Sequence, residues 1–236
     1  MSSTMLARMG LRDRLAGALK PEYLFQPNVL LRRLTAHRPY ARGKTLYDMP
    51  GGAQIEAEAS EVQGRILATL GVIDLPVTEA LWRLTDPGET CVDVGANIGY
   101  MTGILAARAR GGTVHSFEAL PTIFEELTAN VRRFEKTFDD VKLVSHSVAV
   151  SDHAGTVRME MPDGSETNHG LARVGENGSL EVQAVTLDEV FAPTNISVMK
   201  LDVEGHELAV LNGAERLFKE ERVRDCVFEE HRAYPT

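Results

Sequence analysis

Three stretches of the chain carry residue types at spacings that could do chemistry. CVDVGANIGYMTG, residues 91–103, runs from an apolar pair into Asp93 and then through Gly95, Asn97, Gly99 and Gly103. GTVHSFE ends at Glu118, 19 residues after Gly99. MKLDVEGHE brings Asp202, Glu204 and His206 close together. A strand, a glycine turn and a helix make a ligand loop at the carboxyl end of a parallel strand. A nucleotide-phosphate loop would need Gly-Lys-Ser/Thr or Gly-x-Gly-x-x-Gly, and neither is present. Asp93 would repel a phosphate and suits a cationic head instead. An acid ending the second strand can accept from both hydroxyls of a ribose. A ribose acceptor and a carboxylate near a cationic end, with no phosphate site, describe S-adenosylmethionine as the ligand.

The elements that must position these groups alternate. Strands are expected at 90–94, 113–117, 141–145, 196–202 and 225–230, with helices at 99–109, 121–136 and 205–219. That order implies an α/β fold: a mostly parallel sheet with right-handed crossovers and helices on both faces. GTVRMEM (155–161) and LEVQAV (180–185) read as two more strands, and TLDE (186–189) has the form of a capping box. Before the sheet, residues 5–19 show a loose helical stripe. Residues 43–55 read as a turn between short strands, and 57–84 as helical with a break near Pro76. The expected division is an N-terminal extension over 1–74, comprising a basic helical arm and a short hairpin, and a ligand-binding domain over 75–236.

The 236 residues are 43% hydrophobic and 25% charged, an ordinary globular composition. A net charge of −9 argues against a nucleic-acid partner. Residues 1–45 nevertheless hold nine Lys/Arg and two acids, leaving 16 basic and 32 acidic residues elsewhere. Such an arm suits a peripheral membrane or protein contact, an oligomer interface included. The plainer reading is a solvated helix packed on the body. Cys91 and Cys226 lie in apolar runs and read as buried free thiols. No secretory signal and no apolar run of membrane-spanning length is evident, so the expected location is cytoplasmic.

At these residues the sequence resembles the FkbM-type methyltransferase family. VDVGANIGYMTGILA, VHSFEALPTIFEELTANV, SVAVSDHAGTV, VTLDEV, MKLDVEGHELAVLNGAERL and VFEEH look like its successive blocks, in order, across residues 75–232. The resemblance implies a Rossmann-like class I methyltransferase fold. It also implies S-adenosylmethionine as donor and O-methylation of sugars, polyketides and related metabolites. By position it assigns the cofactor to Asp93, Gly95, Asn97, Gly99 and Glu118, with Ser147, Val148 and Ala149 beside the adenine and Glu79 near the amino-acid end. It places the family's late acids on Asp202 and Glu204, and its last-strand acid and histidine on Glu229 and His231. Ala119 and Leu120 stand where the family usually has Pro and Asn, a departure on the adenine side. Sheets of this fold end in two further strands, one of them antiparallel. The last strand legible here ends at residue 230, so a sheet without that pair is expected.

A hydroxyl acceptor becomes a nucleophile once a base or a metal takes its proton. Neighbouring strand ends would bring together Asp202, Glu204, Glu229, Glu230 and His231. Two uses stay open: a general base (Asp202 or His231, with Glu204 beside it), or a divalent cation such as Mg held by Asp202, Glu204 and Glu229. Glu204 has a plainer role as a cap of the following helix. His206 reads as a supporting residue, His146 as structural, and Trp82 and Tyr100 as core or pocket wall. The polar loop 162–179, with His169 and Arg173, suits either a substrate lid or a simple hairpin tip. The partner implied is a small hydroxylated molecule. The competing classes are a nucleotide-binding oxidoreductase, which Asp93 and the glycine spacing disfavour, and a non-catalytic methyltransferase-like binding module. A nucleic-acid methyltransferase would need the Asp/Asn-Pro-Pro-aromatic or Pro-Cys motif, and both are absent.

Overall fold

A computed structural model of the chain describes residues 43–160, 173–175 and 178–228. It opens with an antiparallel hairpin, β1 (Lys44–Asp48) and β2 (Gln54–Glu58), turning at Pro50–Gly52. Ile55 and Ala57 alternate inward along β2, so residues 57–58 extend the hairpin and the helical region begins later than the sequence suggests. Helices α1 (Val62–Leu70) and α2 (Leu75–Leu84) follow. Asp74 caps α2 by accepting from the Val77 N–H, and Pro76 occupies the first turn, where its missing N–H has no helical partner to lose.

The alternating part runs β3 (Thr90–Val94), α3 (Tyr100–Arg108), β4 (Thr113–Phe117), α4 (Pro121–Thr137) and β5 (Lys142–His146). It continues through β6 (Ala149–Val150), β7 (Gly155–Glu160), β8 (Arg173–Val174), β9 (Leu180–Val185) and α5 (Leu187–Val190). It closes with β10 (Ile196–Leu201), α6 (Glu207–Asn212), α7 (Glu215–Lys219) and β11 (Val223–Phe228). Five strands make one parallel sheet in the order β11-β10-β3-β4-β5. From β3 the chain winds one way through β4 and β5, then returns to lay β10 and β11 on the other side. The switch point is therefore between β3 and β10, and its crevice is where such sheets bind ligands. A second sheet, β6-β9-β7-β8, stands beside the first, with β7 antiparallel to β9.

Alternation along the parallel strands divides the core. Cys91, Val114 and Val198 pack with Ile104, Leu127 and Phe134 of α3 and α4. Val92, Val94, Phe117, Met199 and Leu201 pack with Leu187, Phe191, Val210 and Leu217 on the other face. Both cysteines are free, and burial pushes the Cys91 thiol up to about 12. The single helix expected over 205–219 is two. They part at Gly213, where a Cβ would lie 2.0 Å from the Ser151 carbonyl oxygen, so the chain must pass close to the second sheet there. The hairpin is clamped to α4 by Asn130. Its side chain accepts from the Glu56 N–H (2.8 Å) and donates to the Glu56 and Ile98 carbonyls (3.0 and 2.9 Å). Among the described residues, no helix is long and apolar enough to cross a membrane.

Candidate active site

The loops leaving β3, β4, β5 and β10 converge on a cavity of about 340 Å³, within the range of ~300–1,000 Å³ usual for small-molecule sites. Gly95–Asn97, Glu118–Leu120, Val148–Val150, Asp202–Glu204 and His206 line it, together with Val62, Ile66 and Val77 of the two N-terminal helices.

Glu118 stands just past β4. Its Oε2 accepts from the Asn97 N–H and its Oε1 from the Leu120 N–H, both at 2.9 Å. An ionised carboxylate offers ~4 lone-pair directions, so each oxygen keeps one for the cavity. Burial pushes the Glu118 carboxyl upward, while the two N–H bonds and the Lys200 charge oppose that rise. The loop that delivers the Asn97 N–H is tightly set. Asn97 takes a positive φ of 51° and accepts from the Ile98 N–H through its own side chain. At Gly95 (φ 74°) a Cβ would fall 1.8 Å from the Asp202 carbonyl oxygen, so only glycine lets the β3 and β10 loops meet. Gly99 begins α3 against Leu127. Leu120, one of the two departures from the family pattern, supplies an N–H to Glu118 and an apolar side chain to the wall.

Asp93, expected at the mouth of the loop, stands deeper than its sequence position suggested. It is fully buried beneath the loop and does not line the cavity. Its Oδ2 accepts from the Thr102 hydroxyl (2.6 Å), and its Oδ1 lies 3.2 Å from Lys200 Nζ. Asp93 is directed inward because Lys200 is its register partner on β10, and two opposite charges on adjacent buried strands leave water together. Lys200 also donates to the Gly95 carbonyl (2.9 Å) and reaches Asp202 Oδ2 at 3.6 Å. Desolvation pulls the Lys200 pKa down, but Asp93 and Asp202 outweigh it and hold the ammonium above its ordinary value. The sequence reading passed over Lys200. The signal was a lysine inside the apolar run VMKLDV, which on a buried strand requires a partner.

Past β10 the chain is held by side chains. Glu204 takes a positive φ of 52°, an uncommon conformation for its type. The Glu207 carboxylate fixes it by accepting from the N–H groups of Val203 (3.2 Å) and Gly205 (3.1 Å) on either side. Helix α6 starts at Glu207 with His206 at its N-cap, so Glu204 lies outside the helix and lines the cavity. His206 lines it too, with Nε2 2.9 Å from Ser151 Oγ.

Two other expected contacts are displaced. Glu79 pairs with Arg83 one helical turn away on the surface of α2 and does not reach the cavity, because α2 turns that face to solvent. Ser147 is exposed, and the wall after β5 is made by Val148, Ala149 and Val150. Arg173 pairs with Glu160 across β7 and β8 and stays outside the lining. Tyr100 lines the cavity with its hydroxyl buried beside Thr78, whose own hydroxyl donates to the Ile73 carbonyl. Trp82 packs under Arg108. His146 stacks with His115 and Phe117. Glu229, Glu230, His231 and His169 lie outside the described residues. Among those described, no three His, Cys, Asp or Glu side chains come together as a metal-binding group. The ammonium of Lys200 faces the Asp202 carboxylate that a cation would need.

A family model for the methyltransferase FkbM domain matches residues 93–235. The hexuronic acid methyltransferase AglP of Haloferax volcanii is 33% identical over 154 residues, covering 57% of this chain and 60% of that protein. The 31-O-demethyl-FK506 methyltransferase FkbM of Streptomyces tacrolimicus is 32% identical over 178 residues, covering 61% and 66%. The chain thus spans less than two thirds of either relative. Among solved structures, methyltransferase FkbM from Methylobacillus flagellatus superimposes with a TM-score of 0.43 at 18% identity, over 66% of this chain and 40% of that one. With its family match running from Asp93 through the cavity-lining loops to residue 235, the chain belongs to the FkbM methyltransferase domain family.

Proposed function

We propose that the chain transfers a methyl group from S-adenosylmethionine to a hydroxyl of a small molecule such as a sugar, a polyketide or a lipid-linked glycan. The observation that carries this reading is Glu118, a carboxylate pinned by two main-chain N–H groups with one acceptor direction free on each oxygen. That arrangement suits the paired hydroxyls of a ribose. The rest of the lining agrees. Its one lysine is already shared among Asp93, Gly95 and Asp202, and no arginine lines the cavity among the described residues, so a dinucleotide's phosphates find no free cation. Val148, Ala149 and Leu120 offer an apolar slot for adenine. The relatives named above carry names that give a hexuronic acid and 31-O-demethyl-FK506 as what they methylate, which supports a hydroxylated acceptor.

When bound, S-adenosylmethionine supplies an electrophilic methyl on a positively charged sulfur, the leaving group already built in. The chain's own residues hold the donor, align the acceptor in line with the methyl, and take up the acceptor's proton. Glu118 and the Gly95–Asn97 loop serve the first task. Asp202 and Glu204, beyond β10, stand where the acceptor would be received. His231 and Glu229 enter this reading on resemblance.

Calorimetric titration with S-adenosylmethionine tests the proposal. Hydrogen bonds to a charged group are each worth ~1.5–3 kcal/mol, so losing two in Glu118→Ala should weaken binding by at least about 100-fold. Binding of NADH in place of S-adenosylmethionine would refute the reading and favour an oxidoreductase.

A further inference from the structure

A chain of polar contacts outside the sequence-predicted set ends in the cavity. Ser151, fully buried just after β6, has its Oγ 2.9 Å from His206 Nε2 and 3.2 Å from Asp152 Oδ1. The same Asp152 oxygen lies 2.6 Å from His153 Nδ1. An ionised carboxylate only accepts hydrogen bonds. The single Ser151 hydroxyl proton is therefore directed to Asp152, and Ser151 Oγ must accept from His206. That requires the proton of His206 to sit on Nε2 and leaves Nδ1 as the ring's lone-pair nitrogen.

Among the described residues nothing claims that lone pair. His206 is the N-cap of α6, but its side chain makes no cap hydrogen bond, and Nδ1 has no partner among the described residues. The ring lines the same cavity as Glu118 and Asp202. Its position is fixed from both sides: Ser151 holds Nε2, and Glu207 holds the preceding loop through Val203 and Gly205. Asp202, by contrast, already has a carboxylate oxygen 3.6 Å from the Lys200 ammonium. The charged groups acting on the ring are Asp152 and His153 from the turn after β6 and Glu207 on its own helix; Asp202 and Glu204, on the loop before it, line the same cavity.

We infer that His206, through Nδ1, is the general base that deprotonates the acceptor hydroxyl, with Ser151 and Asp152 as the positioning residues that fix its tautomer. This rests on the methyltransferase reading above. In the step, the acceptor's O–H bond breaks and its proton goes to Nδ1. The oxygen lone pair forms the O–CH3 bond, and the electron pair of the C–S bond stays on sulfur as the neutral thioether.

Two measurements test it. Nitrogen-15 spectra of histidine-labelled protein at neutral pH should show His206 protonated on Nε2 and bare on Nδ1, with the preference lost in Ser151→Ala. His206→Gln keeps a donor for Ser151 and removes the Nδ1 lone pair. It should bind S-adenosylmethionine as the wild type does, yet methylate a panel of methyl glucoside, methyl glucuronide and a hydroxylated macrolactone ~10²–10⁴-fold more slowly. A ring protonated on Nδ1, or His206→Gln with wild-type transfer, overturns the inference while leaving the cofactor reading in place. Wild-type protein that binds no S-adenosylmethionine overturns the cofactor reading and the inference with it. If none of the panel is turned over, the spectra alone decide.

Discussion

Glu118 and His206 sit at the ends of β4 and β10, the two strands that flank β3, and they are held there by different means. Glu118 is gripped by main-chain N–H groups two residues downstream and one loop away. His206 is held by Ser151, and its loop is held by Glu207. The first arrangement needs a backbone path and tolerates many side chains around it. The second needs particular side chains from the second sheet and from α6. A site built on backbone suits a ligand common to a whole family, and one built on side chains suits the part of a reaction that differs between members. The difference teaches where variation can be absorbed: past β10, and not between β3 and β4.

The residue that belongs to both regions gives the strongest test of that division. Lys200 touches the Gly95 carbonyl on one side and Asp202 on the other, with Asp93 beneath. Removing one partner of a buried ion pair costs ~3–5 kcal/mol, because the other charge is left without compensation. Lys200→Met should therefore lower unfolding free energy in urea by about that amount. Adding Asp93→Asn should recover much of it, since no buried charge then remains alone. If the double variant is stable and still binds S-adenosylmethionine normally, the two regions are independent. If its affinity falls, the Gly95 loop depends on the β10 side after all.

The parallel sheet was legible because its apolar strands alternate with periodic helices, which imply parallel strands joined by right-handed crossovers. The Glu118 region was legible for a related reason: a glycine turn and an acid ending the next strand are local patterns. Asp93 was found but misplaced, since nothing local told that Lys200 would face it across two strands far apart in sequence. His206 and Ser151 are 55 residues apart, and their contact depends on how the second sheet docks, which periodicity does not encode. Glu79 was assigned by block position, whereas its direction is decided by which face of α2 meets the core.

Acid sharpens the comparison on the β4–β5 side. His115 Nδ1 and His146 Nε2 lie 3.1 Å apart, the rings stacked and His115 edge-on to Phe191. Burial, then the neighbouring His146 and Lys142, lower His115 from 6.5 to about 4, and burial lowers His146 in the same direction. Between those pH values the unfolded chain binds a proton that the folded chain refuses. The contribution of neutral His115 is whole above pH 6.5 and is lost as pH falls towards about 4, a change of ~2–3 kcal/mol after allowance for partial exposure. Urea unfolding across that window should show the decline, and His115→Phe should flatten it. A flat wild-type profile would mean that the pair takes up a proton without strain.

The smallest expected effect bounds the site. Glu79 and Ser147 were both assigned to the cofactor by their place in the family's blocks. Glu79 forms a surface pair with Arg83, and Ser147 is exposed; neither lines the cavity. Exposed ion pairs at this spacing are worth ~0.3–0.5 kcal/mol. Glu79→Ala and Ser147→Ala should each change stability by no more than about 0.5 kcal/mol and leave S-adenosylmethionine affinity within about twofold. A tenfold loss in Glu79→Ala would show that α2 turns or shifts when the ligand binds, bringing that carboxylate inward, and that a third region then belongs beside the two compared here. An unchanged affinity leaves Glu79 and Ser147 outside cofactor recognition.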